Sequence, residues 1–221
     1  MPVHRIVKYG LVNAYLVEED DGLTLIDTML PRSQKQILAA ADALGAPIRR
    51  IVLTHAHGDH IGSLDALAAA LPDAEVLISA RDARLLAKDT SLDPGEPQDK
   101  IRGDVRGAKT KPTRTFEPGD RIGSLEVVGS PGHTPGHVSL LDTRNRTLYA
   151  GDAYATVGGV ATTAQRNLRF PLVRFATWHK PTALESARRL RALDPARLAP
   201  GHGKVVESPG AAMDRSIARG F

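Results

Sequence analysis

Five times in this 221-residue chain an apolar, β-forming run is followed at once by an aspartate or a histidine. LTLI (23–26) precedes Asp27, IVLT (51–54) precedes His55, and LEVVGSPG (125–132) precedes His133. LYAG (148–151) precedes Asp152, and LAPG (198–201) precedes His202. Strand ends along one edge of a sheet converge on a single place. Chance would scatter such residues, so the repeat points to an α/β chain whose strands deliver polar side chains to a common site.

The rest of the pattern agrees with that class. Residues 3–7, 11–17 and 23–27 read as short strands, with Asp20-Asp21-Gly22 as a turn between the last two. Ser33 and Gln36 form a capping-box pattern ahead of a helix whose stripe is Ile37, Leu38, Ala41 and Leu44, stopped by Gly45 and Pro47. A strand at 48–54, a helix at 64–71, a strand at 75–79 and a short helix near 80–87 follow. Residues 89–114 lose all periodicity and read as a long loop. Strands return at 121–130, 138–142 and 147–151, with residues 143–146 as a hairpin turn. After an irregular stretch at 155–180 come a helix at 182–193 on Leu184, Ala187, Leu190 and Leu193, a short strand at 197–200 and a last helix from Pro209. Strands then helices occur twice, joined near residue 115.

The densest ligand cluster is THAHGDH (54–60), with His55, His57, Asp59 and His60 among only eight histidines in the chain. Residues i and i+2 of an extended backbone project to one side, so His55 and His57 can grip one ion. Gly58 lets the chain turn and aim Asp59 and His60 at a second. Imidazole and carboxylate donors suit Zn²⁺ first, with Fe or Mn as alternatives; Ca²⁺ and Mg²⁺ want oxygen-rich cages. The chain has no cysteine. That excludes a disulfide framework, a thiolate metal site and a cysteine nucleophile. About seven candidate ligands exceed what one structural ion needs and suit two ions sharing a carboxylate and a water, a pair that activates water at neutral pH.

THAHGDH matches the H-x-H-x-D-H signature of the metallo-β-lactamase superfamily. PGHTPGH (131–137), AGD (150–152) and PGHG (200–203) follow in that family's order, so the resemblance covers nearly the whole chain. It implies a single domain over 1–221 with a four-layer αβ/βα sandwich, two mixed sheets flanked by helices. It implies that His55, His57 and His133 hold one metal, that Asp59, His60 and His202 hold the other, and that Asp152 bridges them. Asp27 stands where the family often has an aspartate that touches a ligand rather than the ion; plain loop hydrogen bonding is the equal alternative. His137 reads as a buttress of its own loop, and His4 and His179 as surface or packing residues.

The implied activity is hydrolysis of an ester, thioester or lactone by two Zn²⁺ through a metal-bridging hydroxide, with Asp59 or Asp152 taking or relaying the proton. A secreted antibiotic-degrading lactamase would need an export signal, and none is seen. The flavo-diiron type has a glutamate where this chain has His57. The glyoxalase II type matches the core but carries a helical C-terminal domain, whereas 19 residues follow His202. Lactonases often place a tyrosine just after the bridging aspartate, near Tyr154. Two other readings stand beside the hydrolase: a phosphodiesterase or nuclease using Lys100, Arg102, Arg106, Lys109, Lys111 and Arg114, and a metal-binding protein without catalysis. Within 155–180, Leu168, Phe170, Leu172, Phe175 and Trp178 either line a substrate pocket or join the core. The apolar fraction of 42% and charged fraction of 24% are those of a globular protein, and a net charge of +4 is too small to demand a nucleic-acid partner. With no apolar run of bilayer length, the expectation is a cytoplasmic protein acting on a small molecule.

Overall fold

The computed structural model describes residues 2–221. The chain divides into two compact units, residues 1–89 with 104–116 and residues 90–103 with 117–221.

The sheet of the first unit is mixed. β1 (His4–Lys8), β2 (Val12–Glu19) and β3 (Gly22–Ile26) pair antiparallel in succession. β4 (Ile48–Val52), β5 (Glu75–Ser79) and β6 (Arg114–Phe116) then extend the sheet from β3 in parallel. Parallel strands buried on both faces read as continuous apolar runs, and Leu25, Ile26, Ile51, Val52, Leu77 and Ile78 are all buried. β6 falls where the sequence pattern had been lost: three residues with one buried side chain carry no alternation to read.

α1 (Gln34–Leu44) buries Ile37 and Ala41 and ends at Gly45 in the left-handed conformation. The expected capping box is absent. Ser33 Oγ donates to Leu30 O in the preceding turn and Gln36 Nε2 to Val7 O on β1, so both side chains are spent elsewhere. α2 (Gly58–Ile61), α3 (Leu64–Ala70) and α4 (Ala80–Leu86) complete the unit. Asp65 of α3 accepts from the Lys109 and Thr110 amides and the Thr110 hydroxyl, which pins the 104–113 segment.

In the second unit the expected single strand over 121–130 is a hairpin, β7 (Arg121–Ile122) with β8 (Leu125–Gly129). β8 pairs with β9 (Val138–Asp142), and β9 with β10 (Thr147–Ala155), each antiparallel. β12 (Arg197–His202) lies parallel to β10. β11 (Ala161–Thr162) pairs with β10, and β13 (Val206–Glu207) with β12. α5 (Leu172–Ala176), α6 (Lys180–Ala192) and α7 (Gly210–Ala218) are its helices.

Leu141, Leu148, Tyr154, Ala187, Leu190, Leu198 and Met213 form one buried cluster that joins this sheet to α6 and α7. Each of its leucines contributes about 1.5–3 kcal/mol by burial. No helix among the described residues is long and apolar enough to cross a membrane.

Candidate functional site

In the first unit the site residues gather at the carboxyl ends of β3 and β4. Asp27 directly follows β3 with φ +60°, a left-handed turn that aspartate tolerates. That turn sends its carboxylate toward the end of β4. Oδ1 accepts from the Thr54 amide at 2.8 Å, and Oδ2 accepts from the Thr54 hydroxyl at 2.9 Å. His60 Nδ1 lies 2.8 Å from Oδ2. Thr54 Oγ1 also lies 3.0 Å from His55 Nδ1.

The directions of these bonds fix the ring protons. A carboxylate only accepts, so His60 carries its proton on Nδ1. The single Thr54 hydroxyl proton goes to Asp27, so the hydroxyl accepts from His55, which is also protonated on Nδ1. Both rings therefore keep their lone pair on Nε2. The two ring centroids are 4.1 Å apart, and His57 stands edge-on to His55 at 4.9 Å. His55, His57 and His60 are buried, whereas the Asp59 side chain is 34% accessible, 4.0 Å from His60 Nε2.

Gly58 opens α2 rather than making a turn. Asp104 and Arg106 pack where its Cβ would stand, and its amide donates to Asp104 O. Arg106 is ion-paired with Asp104, so part of the basic loop is spent on holding this corner.

In the second unit three residues meet. His133 sits in the β8–β9 connection, and Asp152 and His202 lie inside β10 and β12, not beyond their ends. Tyr149 faces Ala199 and Gly151 faces Pro200, so β10 carries an extra residue at this point. Such bulges re-aim side chains. Asp152 Oδ2 is 3.4 Å from His133 Nε2 and 3.2 Å from His202 Nε2, and all three residues are buried.

His133 Nδ1 lies 3.0 Å from Thr177 Oγ1, whose proton goes to Val173 O at 2.8 Å. His133 is thus a third ring protonated on Nδ1 with its lone pair on Nε2. That lone pair faces an anionic oxygen, which is repulsive unless a cation sits on that edge. The loop holding His133 rests on α6: Gly132 has φ +129°, and a Cβ there would meet the backbone of Ala183.

His137 has a different task. Its Nε2 accepts from the Asp152 amide at 2.9 Å, and its Nδ1 faces Ser130 Oγ, which continues to Ser139 Oγ and Ala150 O. That relay fixes the backbone on both sides of Gly151.

Of the expected pocket residues, Phe170 is buried with its ring 5.1 Å from that of His202, alongside Ala155 and Val173. Tyr154 corrects the expectation. It lies in the core with its hydroxyl donating to Ala187 O, and burial raises its pKa well above the ordinary tyrosine value. Phe175 on α5 is 67% exposed, and Leu168, ahead of that helix, is 93% exposed. Trp178 is buried and donates to Asp99 O. His179 caps α6, and His4 pairs with Glu18.

Thr54 and Thr177 are the residues that sequence reasoning missed. Thr54 stands beside the motif, so its hydroxyl was in view, but nothing local marks Thr177, which is 44 residues from the ring it orients.

Comparison with known proteins adds the following. The family model described as the metallo-beta-lactamase superfamily matches residues 7–202. YobT of Bacillus subtilis (strain 168), described as uncharacterized, is 50% identical over 94% of this chain and 90% of its own. Hydroxyacylglutathione hydrolase of Rhodospirillum rubrum is 32% identical over 72% of this chain, but the match spans only 54% of that enzyme. Among solved structures, TTHA1623 in a di-iron-bound form superposes with a TM-score of 0.68 at 28% identity, covering 93% of this chain and 94% of that one.

Proposed function

The chain belongs to the metallo-beta-lactamase superfamily and has its fold, and on that footing we propose that it is a dinuclear metal-dependent hydrolase of an ester, thioester or lactone. The observation that carries the reading is the ring chemistry. His55, His60 and His133 are each held through Nδ1 by an oxygen, which leaves the Nε2 lone pair for ligation. The donor set fits transition metals: imidazoles and carboxylates with no thiolate, suited to zinc and, as in the di-iron form of TTHA1623, to iron.

In this reading His55, His57 and His133 would hold one ion, Asp59, His60 and His202 would hold the second, and Asp152 would serve both. The ions, when bound, supply Lewis acidity and activate water near neutral pH. The chain's own groups do the remainder. Asp59, the most accessible member of the set, takes the proton released as water adds to the carbonyl carbon. It returns that proton to the leaving alcohol or thiol as the C–O or C–S bond breaks. Asp27, Thr54 and Thr177 hold the rings; His137 holds the backbone that presents Asp152. Phe170 shields the His202 ring. We assign a small-molecule substrate and a cytoplasmic location, with which a chain without cysteine is compatible.

The test is elemental analysis of metal-replete protein together with a panel of lactones, acyl-glutathione thioesters, cephalosporins and phosphodiesters. About two ions per chain are expected, with turnover of an ester, thioester or lactone that a chelator abolishes and added metal restores. Turnover confined to phosphodiesters, or a ceiling of one ion, overturns the proposal.

A further inference from the structure

The second unit holds a cavity of about 420 Å³ that takes no part in the reading above. One wall is the 158–169 segment, with Arg166 and Arg169; the other is α7, with Arg215, and its cap Arg219. All four side chains are exposed, and the lining contains no carboxylate. Several arginines outside the cavity do pair with carboxylates: Arg50 with Asp21, Arg84 with Asp89, Arg144 with Asp142, Arg191 with Asp214. None of these four has such a pair among the described residues. Asp214, the one acid on α7, is outside the lining and is taken by Arg191.

Like charges crowded around one concavity repel, and Arg215 and Arg219 are four apart on a helix, where repulsion is direct. The dipole at the end of α7 favours cations there, but it gives no reason for Arg166 and Arg169 on the opposite wall. Gly158, with φ +76°, lies where a side chain would collide with the stem of Arg169, so the turn is shaped to seat that arginine. At the buried floor, Gln165 Oε1 accepts from Ser216 Oγ, which commits the oxygen and leaves the amide NH₂ as the donor end. Guanidinium forks and an amide N–H suit tetrahedral oxyanions, and the volume is that of a small-molecule site rather than of a lone ion.

We propose that this cavity binds the phosphate group of a small molecule, at a site separate from the His/Asp residues. The inference stands without the hydrolase reading. The probes are inorganic phosphate and glycerol 3-phosphate, titrated calorimetrically into metal-loaded protein at low ionic strength. Saturable binding is expected. It should weaken at least ~10-fold in Arg215→Gln/Arg219→Gln and in Arg166→Gln/Arg169→Gln, since each change removes two charge-assisted donors. Arg121→Gln/Arg188→Gln removes the same charge from exposed second-unit positions outside the cavity lining and should leave Kd within about twofold, the screened effect of charges that do not touch the ligand. Tighter binding of the ester identifies a phosphorylated metabolite, and equal binding identifies free phosphate; both support the site. The proposal is overturned if wild type shows no saturable binding, if the arginine variants bind as wild type does, or if the control weakens binding equally.

Discussion

Replacing Asp27 with asparagine separates shape from charge at the residue that holds His60. In the wild type, Oδ1 takes the Thr54 amide and Oδ2 takes both His60 Nδ1–H and the Thr54 hydroxyl, all in buried surroundings. Asparagine offers one oxygen and one NH₂. With the oxygen kept on the Thr54 amide, the NH₂ meets the His60 N–H, donor against donor. The ring relieves the clash by moving its proton to Nε2, which removes the lone pair assigned to the metal. Loss of one buried bond to a charged acceptor costs about 1.5–3 kcal/mol. For a chain of this size that is roughly 3–12 °C in Tm. Metal affinity at the site assigned to His60 should fall by about 10–100-fold, the usual effect of losing a partner that orients a ligand. Thermal melts of the metal-free protein give the first quantity; metal content across a series of buffered zinc concentrations gives the second. A Tm within a degree of wild type, with both ions held at wild-type affinity, refutes the role given to Asp27.

Asp152→Asn should lose at least ~100-fold in kcat and weaken the second ion, with a smaller change in Tm; normal turnover with two ions retained would remove Asp152 from the shared position. Tyr154→Phe should leave KM and kcat unchanged and cost about 1 kcal/mol in urea unfolding, because the lost hydroxyl bonds only to Ala187 O; a raised KM would return Tyr154 to the substrate pocket. For Asp142, burial pushes the carboxyl up, but the Arg144 side chain and amide with the Asn145 amide outweigh it, so the group ionises below the ordinary aspartate range. A lowered folded-state value gives stability that is present above the unfolded value of about 4 and is lost as pH falls through the folded one. Asp142→Asn should therefore destabilise the protein at pH 7, and the gap to wild type should close near pH 2; a gap independent of pH would show that the Arg144 pairing is not its source.

Local pattern carried far into this molecule. The parallel strands β3, β4 and β5 were visible because the carboxyl-end half of each is buried on both faces and reads as an apolar run. The stripes of α1 and α6 were visible because one face of each is covered. The break near residue 115 matches the division of the chain at 116, although residues 90–103 belong to the second unit. What the pattern missed was short or lacked alternation: β6, the hairpin within 121–130 and the small helix α5.

The sequence by itself determined which residue types stand at the strand ends and in what order, since spacing and donor chemistry are local properties. Only the tertiary structure decided which nitrogen of each ring carries the proton, because that is set by partners distant in sequence: Asp27 for His60 and Thr177 for His133. It decided that Tyr154 faces the core, packed with Leu148 and Ala150 and bonded to the carbonyl of Ala187, 33 residues further on. It also decided that Arg166 and Arg169 share a cavity with Arg215 and Arg219, some fifty residues on. One-dimensional periodicity records which face of an element is buried; which side chains meet across two elements depends on packing, and packing is a property of the folded chain.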